Sequence, residues 1–165
     1  MRTDELQQQL DKLHSLIKDI RTGILLTHNG SNKIQGRPMA TAGIDEDGTI
    51  WYFTNEFSGK AHDIENNSDV YITYSDASSN SYVTISGTAS IENDKQKMEE
   101  LYTPAVKVWF PQGLEDPKLA LLKVQPIEAE YWDNSSSKIV ILFHMLKSVI
   151  TGDKYTEGEH AAVKF

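Results

Sequence analysis

No cysteine occurs in the 165 residues, so disulfides, thiolate metal sites and cysteine nucleophiles are excluded. Arginine is almost as scarce. Arg2, Arg21 and Arg37 are the only three, and beyond position 37 every fixed positive charge comes from lysine, so planar, bidentate capture of a phosphate or carboxylate is confined to few places. Positive charge as a whole is in the minority, 16 basic against 24 acidic residues for a net charge of −8, which argues against a broad electrostatic footprint for DNA, RNA or anionic lipid. Long apolar runs are missing too. The longest, residues 139–143 (IVILF), suits a buried strand and is far short of the ~20 residues of a membrane span. The opening MRTDELQQQL carries no apolar signal core, so a cytoplasmic location is expected. The histidines at 14, 28, 62, 144 and 160 show no metal-ligand spacing, and no G-x-S-x-G nucleophile elbow occurs. GSNKIQG at 30–36 lacks the pattern of a nucleotide-binding loop and reads as a flexible hairpin.

What is present describes one globular domain over residues 1–165, with 39% hydrophobic residues and no internal repeat. Leu6, Leu10, Leu13, Ile17 and Ile20 fall on one helical face and predict an amphipathic helix over about 4–21, with Asp4 and Gln7 as a capping pair and Gly23 just past its end. Strands are expected at 24–28, 36–44 and 50–54, the last two joined by the turn signal DEDG at 45–48. After a helix over about 58–66, residues 70–75 and 82–91 read as a hairpin. In its second strand Val83, Ile85, Gly87, Ala89 and Ile91 share an apolar face opposite Tyr82, Thr84, Ser86, Thr88 and Ser90. Glu92-Asn93-Asp94 cap a helix to about Tyr102, residues 103–117 carry short helical turns, and strands at about 122–132 and 138–147 complete the chain, leaving the acidic tail 152–165 as an ordered helix or a frayed end. The pattern is α+β: six to seven antiparallel strands closing into a β-barrel with flanking helices.

The segment Trp51 to Asn67 holds the sharpest chemical signal. A strand turns into a helix that begins at Ser58 and Lys60, and a helix start offers unpartnered N–H groups and a partial positive charge to an anion. The same residues fit an ordinary strand-to-helix junction, with Ser58 as N-cap, Lys60 in solvent and His62-Asp63 as a solvated or capping pair. Arg37, extended because Pro38 follows it, is either a second positive charge for the same anion or a loop-edge surface residue.

Taken in order, Arg37-Pro38-Met39-Ala40-Thr41, then Phe53-Thr54-Asn55 with Ser58 and Lys60, then residues 82–89 (YVTISGTA) and residues 129–132 (AEYW), the chain resembles the pyridoxamine 5′-phosphate oxidase-like superfamily, and within it the general stress protein 26 group. The resemblance covers about residues 5–150 and implies a split-barrel homodimer that binds FMN at the subunit interface. It implies that Arg37, Lys60, Ser58 and Thr54 hold the phosphate, that Pro38, Met39, Ala40, Thr41 and Phe53 meet the isoalloxazine ring, and that Trp109 and Trp132 close the pocket, from the same subunit or the second. Trp51, Phe53 and Met39 fit simple barrel packing equally well. The chain departs from the true pyridoxamine-phosphate oxidases in two ways: Gly59 stands where they carry a basic residue before the lysine, and no late arginine exists to join a histidine such as His144 or His160 in gripping the vitamin. Oxidation of pyridoxamine phosphate is therefore not expected. The implied activities are an FMN-dependent oxidoreductase using NAD(P)H and a small acceptor, or a flavin-sequestering stress protein without turnover. A barrel taking deazaflavin F420 or haem stays open.

Overall fold

The computed structural model describes residues 2–31, 33–133 and 137–140. It is an α+β split barrel: an antiparallel sheet curled into a half-barrel, with three α-helices against it. Helix α1 (Arg2–Ile20) leads into β1 (Thr22–His28), β2 (Ile34–Ala40), the two-residue β3 (Gly43–Ile44) and β4 (Ile50–Asn55). Helix α2 (Gly59–Asn66), β5 (Asp69–Asp76), β6 (Ser81–Glu92), α3 (Lys95–Leu101), β7 (Leu119–Trp132) and β8 (Ser137–Val140) follow, with 3₁₀ turns at Pro104–Val108 and Gly113–Glu115 between α3 and β7. The order across the sheet is β2-β1-β5-β6-β7-β4-β3, and β8 pairs with the far end of β7. The expected strand at 36–44 is broken at Thr41-Ala42. The last expected strand is described only to Val140, so the rest of 138–147, His144, His160 and the tail 152–165 lie outside the described residues.

Helix α1 owes its place to burial. Leu10, Leu13, Leu16 and Ile17 are buried against β5 and β6, worth roughly 1.5–3 kcal/mol each against the few tenths that separate helix propensities. Its ends differ from the sequence reading. The helix already runs at Asp4, so Asp4 and Gln7 do not cap it; Gln7 Nε2 donates instead to Asp11 Oδ1 at 2.9 Å. At the other end the left-handed position is taken by Arg21, with φ of 67°, not by Gly23. Gly23 lies in β1, where an added Cβ would stand 2.9 Å from the Tyr74 ring. The Arg21 N–H donates to Ile17 O and its carbonyl accepts from Thr41 N–H, both at 2.9 Å, which ties the end of α1 to the end of β2.

In β6 the alternation expected from the sequence is the observed one: Val83, Ile85, Gly87 and Ala89 are buried while Tyr82, Thr84 and Ser90 are exposed. Opposite it, β7 accommodates one extra residue between Pro126 and Glu128, a bulge that also gives Pro126 a place inside a long strand. The strands β2 and β4 stand at opposite ends of the sheet order and share no ladder. Curling brings them into contact across the split of the barrel. That split is where the candidate site lies.

Candidate functional site

A half-open cleft of about 980 Å³ occupies the split. Its walls come from the end of α1 (Ile17, Lys18, Arg21), the end of β2 with the break after it (Pro38–Ala42), β3, the end of β4 (Phe53–Asn55), Lys60 of α2, and the stretch from Leu101 to Phe110. Of the residues singled out in the sequence, Pro38, Met39, Ala40, Thr41, Phe53, Thr54, Lys60 and Trp109 line this one cleft. Arg37, Ser58 and Trp132 do not. Trp51 turns away as well: it packs with Met98, Leu119 and Leu121, donates its indole N–H to Asp45 Oδ2 at 2.7 Å, and has the Lys97 ammonium 5.3 Å from its ring centre. It belongs to the packing between α3 and the sheet.

At the α2 end, Ser58 acts as N-cap, its Oγ accepting the Ala61 N–H at 3.3 Å. The amides of Gly59 and Lys60 open the helix and have no intrahelical acceptor. Lys60 Nζ lies 3.5 Å from Ser58 Oγ, and burial first, then the nearby Arg37 charge, hold the lysine below its ordinary pKa. Thr54 Oγ1, on β4 in the cleft wall, is buried and has no hydrogen-bond partner among the described residues. A cation kept half-buried, two helix-opening amides and an orphaned hydroxyl are a donor set that fits a phosphate.

Arg37 is committed elsewhere. Its guanidinium donates to Thr27 Oγ1 at 2.9 Å, to Gln35 Oε1 at 2.8 Å and to Asp63 Oδ2 at 3.2 Å, and Asp63 also accepts from the Thr27 hydroxyl at 3.1 Å. Asp63 is buried, not solvated as the sequence suggests. It cancels the charge of Arg37, so the pair Arg37 and Lys60 brings one net positive charge to the α2 end, not two. Sequence reasoning missed Asp63 because its partner is 26 residues away and on another element.

The position of Gly59 bears on the same balance. An added Cβ there meets nothing within 4 Å. Gly59→Arg should therefore be accommodated at the helix start, raise stability by about 0.5–1 kcal/mol through the loss of glycine's chain entropy, and tighten anion binding several-fold, as one more exposed charge is worth ~1 kcal/mol. A titration of the variant with FMN beside its urea unfolding curve checks both; unchanged affinity would show that the first turn of α2 does not face the anion.

The middle of the cleft carries a chain of hydroxyls. Tyr52 and Tyr74 hydrogen-bond through their phenols, and Tyr74 OH lies 2.7 Å from Thr41 Oγ1 in the cleft wall. Burial, with the Tyr74 neighbour second, raises the Tyr52 phenol well above its ordinary pKa, so it stays protonated. Tyr52 is fully buried, and its hydroxyl has both Tyr74 and Thr41 as hydrogen-bonding neighbours. Either oxygen of each pair can donate, so the three hydroxyls form one connected group that reaches the cleft wall at Thr41, beside Met39 and Phe53.

Trp109 stands at the mouth, 80% exposed at the end of a 3₁₀ turn, next to the equally bare Val108. Trp132 is half-buried at the end of β7, opposite Tyr82 and Ser137. Lys18 and Arg21, which the sequence reading did not single out, line the cleft at the α1 end. The scarcity of arginine was the signal that could have found Arg21. Among the described residues no group of histidines and carboxylates could hold a metal ion, and no helix is long and apolar enough to cross a membrane.

Comparison with known proteins gives this geometry a context. The model of the family described as pyridoxamine 5′-phosphate oxidase like matches residues 8–156. The protein bli-3 of Neurospora crassa is 26% identical over 161 residues, covering 92% of this chain and 77% of that protein. General stress protein 26 of Bacillus subtilis is 31% identical over 81 residues, 47% of this chain and 57% of that protein. The crystal structure of the general stress FMN/FAD binding protein of Xanthomonas citri superposes with a TM-score of 0.67 at 30% identity, over 82% of this chain and 93% of that one. With a split barrel whose cleft is lined by eight of the candidate residues and a family model that spans most of its length, the chain belongs to the pyridoxamine 5′-phosphate oxidase-like family and is similar within it to the general stress protein 26 group.

Proposed function

We propose that the cleft binds FMN and that the protein is an FMN-dependent oxidoreductase using NAD(P)H and a small acceptor, working as a homodimer in the cytoplasm. The observation that carries the flavin is the α2 end of the cleft, where a half-buried Lys60, the opening amides of α2 and the orphaned Thr54 hydroxyl await a dianionic phosphate. The ring would then lie along Pro38–Thr41 and Phe53, an apolar shelf with the Thr41 hydroxyl offered to its polar edge. Bound FMN would supply two-electron redox chemistry between a nicotinamide and the acceptor, while Lys60, the α2 amides, Thr54 and the Pro38–Thr41 wall would bind and orient it and exclude water. The FMN/FAD binding of the Xanthomonas citri relative supports this reading. A second copy is the proposed cover for the exposed Trp109 and Phe57, and the proposed route by which Trp132 reaches a cleft it does not line in its own chain. One feature favours a second reading, flavin storage without turnover: the described cleft lining holds no histidine or carboxylate that could serve as acid or base.

Titration with FMN, followed by quenching of flavin fluorescence, tests the proposal. We expect tight binding by the native chain and a loss of at least about tenfold in Lys60→Ala, since a charged hydrogen bond is worth ~1.5–3 kcal/mol. Because burial holds the lysine pKa low, affinity should fall as pH rises through a range below that of an ordinary lysine, where Lys60 loses its proton. Lys60→Arg should remove that dependence. A folded protein that takes up no FMN overturns the flavin reading, and FMN-loaded protein that oxidises NADPH no faster than free FMN overturns the oxidoreductase in favour of storage.

A further inference from the structure

The cleft has one sign of charge. Although acidic residues outnumber basic ones 24 to 16, the charged side chains that line it among the described residues are Lys18, Arg21 and Lys60, with no aspartate or glutamate. Two acids near its walls are paired: Asp45, next to the lining Ile44, is bound to Lys97 and Trp51, each at 2.7 Å, and Asp63 to Arg37. Lys60 accounts for one anion. Lys18 and Arg21 are in excess of what the phosphate of a single FMN needs, and they stand apart from it. The Arg21 carbonyl is hydrogen-bonded to Thr41 N–H, four residues along the extended chain from Arg37, or ~13 Å at the rise of a strand.

A lysine in the last turn of α1 is explained by the helix dipole. An arginine with φ of 67° is not, because glycine or asparagine takes the left-handed conformation at less cost. Strain of this kind, kept at the rim of a cleft, points to a use for the side chain. Neither cation has an ion-pair partner among the described residues. We infer that Lys18 and Arg21 form a second anion-binding locus, which takes the phosphate groups of a small molecule that enters the cleft beside the flavin. The inference rests on the flavin reading for what fills the Lys60 end. Phosphates of a dinucleotide and free inorganic phosphates share this chemistry.

Calorimetric titration of the FMN-loaded protein with inorganic pyrophosphate at low salt tests it, since FMN then occupies the Lys60 end. The wild type should bind, and Lys18→Gln/Arg21→Gln should bind about tenfold more weakly with FMN affinity changed by less than about threefold. Both side chains are exposed, so the double variant should fold. Titration with NADP⁺, which cannot reduce the oxidised flavin, separates the sources: a parallel loss assigns the locus to a dinucleotide, and a loss for pyrophosphate alone assigns it to a smaller phosphate. Equal pyrophosphate binding by the double variant, or none by the FMN-loaded wild type, overturns the inference. Should the chain bind no FMN, the flavin reading alone fails, and the ligand-free protein decides: weaker pyrophosphate binding in Lys18→Gln/Arg21→Gln supports the locus, and weaker binding only in Lys60→Gln overturns it.

Discussion

Arg37→Ala should destabilise the protein by about 3 kcal/mol, the largest effect expected of any side chain at the α2 end of the cleft. The guanidinium is 23% exposed and the Asp63 carboxylate 9%, so the pair is shielded enough from water for its loss to matter. Without Arg37, Asp63 keeps, among the described residues, the fully buried hydroxyl of Thr27 as its side-chain donor, and Gln35 loses the guanidinium as well. A charge left unpaired in such a site costs ~3–5 kcal/mol, and Lys60 can offset part of it by swinging towards Asp63. That movement would also remove the cation from the anion site, so flavin binding should fail together with stability. Arg37→Lys keeps the charge but loses the fork that reaches Thr27, Gln35 and Asp63 at once, and should land between. Asp63→Asn has the opposite signature: some stability is lost, yet the freed guanidinium raises the net positive charge and anion affinity goes up. Urea unfolding and FMN titration on the three variants separate these outcomes. If Arg37→Ala unfolds at the wild-type midpoint, the pair is a solvated one and the charge accounting at this end is mistaken.

Gly87→Ala is expected to be as damaging by a purely steric route. A Cβ at Gly87 collides with the carbonyl oxygen of Gln125 and comes within 3.1 Å of Gln125 C and Pro126 Cα. All three atoms are backbone, so no side chain can rotate aside. The strands β6 and β7 would have to part at the bulge, in the middle of the longest ladder of the sheet. Overpacking of a flexible neighbour costs ~1–3 kcal/mol, and this rigid case should reach about 3 kcal/mol or give no soluble protein. Gly59→Ala is the control, because the space beyond its Cα is open and the same change should be neutral or stabilising by up to about 1 kcal/mol. Wild-type stability in Gly87→Ala would mean that the bulge can slide along β7.

Elements legible in the sequence were those set by near neighbours. The stripe of Leu10, Leu13 and Ile17 announces α1 through its period, residues 83–89 announce β6 through alternation, and Asp45 to Gly48 announces the β3–β4 turn. The N-caps Ser58 and Asp94 are equally local, each oxygen accepting an N–H three residues on. Eight of the eleven candidate residues fall in one cleft because they sit on two motifs at the ends of β2 and β4, with Lys60 and Trp109 beyond.

Other features had no local signature. Nothing near Arg21 marks it for the left-handed position; the bond from Thr41 to its carbonyl does, and that depends on where β2 ends. Trp51 and Phe53 are two residues apart, share a face of β4 and pack in one apolar cluster, yet Phe53 lines the cleft and Trp51 does not, because Met98 of α3 and Lys97 cover Trp51. Asp63 reads as a surface residue of a short helix until β1 and β2 bring Thr27 and Arg37 over it. The sequence by itself determined the helices, most strands, the turns and the motifs that mark the family, because their periods, caps and local order act over a few residues. Only the tertiary structure decided that β2 and β4 face each other across the split, that Arg37 spends its charge on Asp63, and that Lys18 and Arg21 join the cleft, because each depends on how the whole sheet curls.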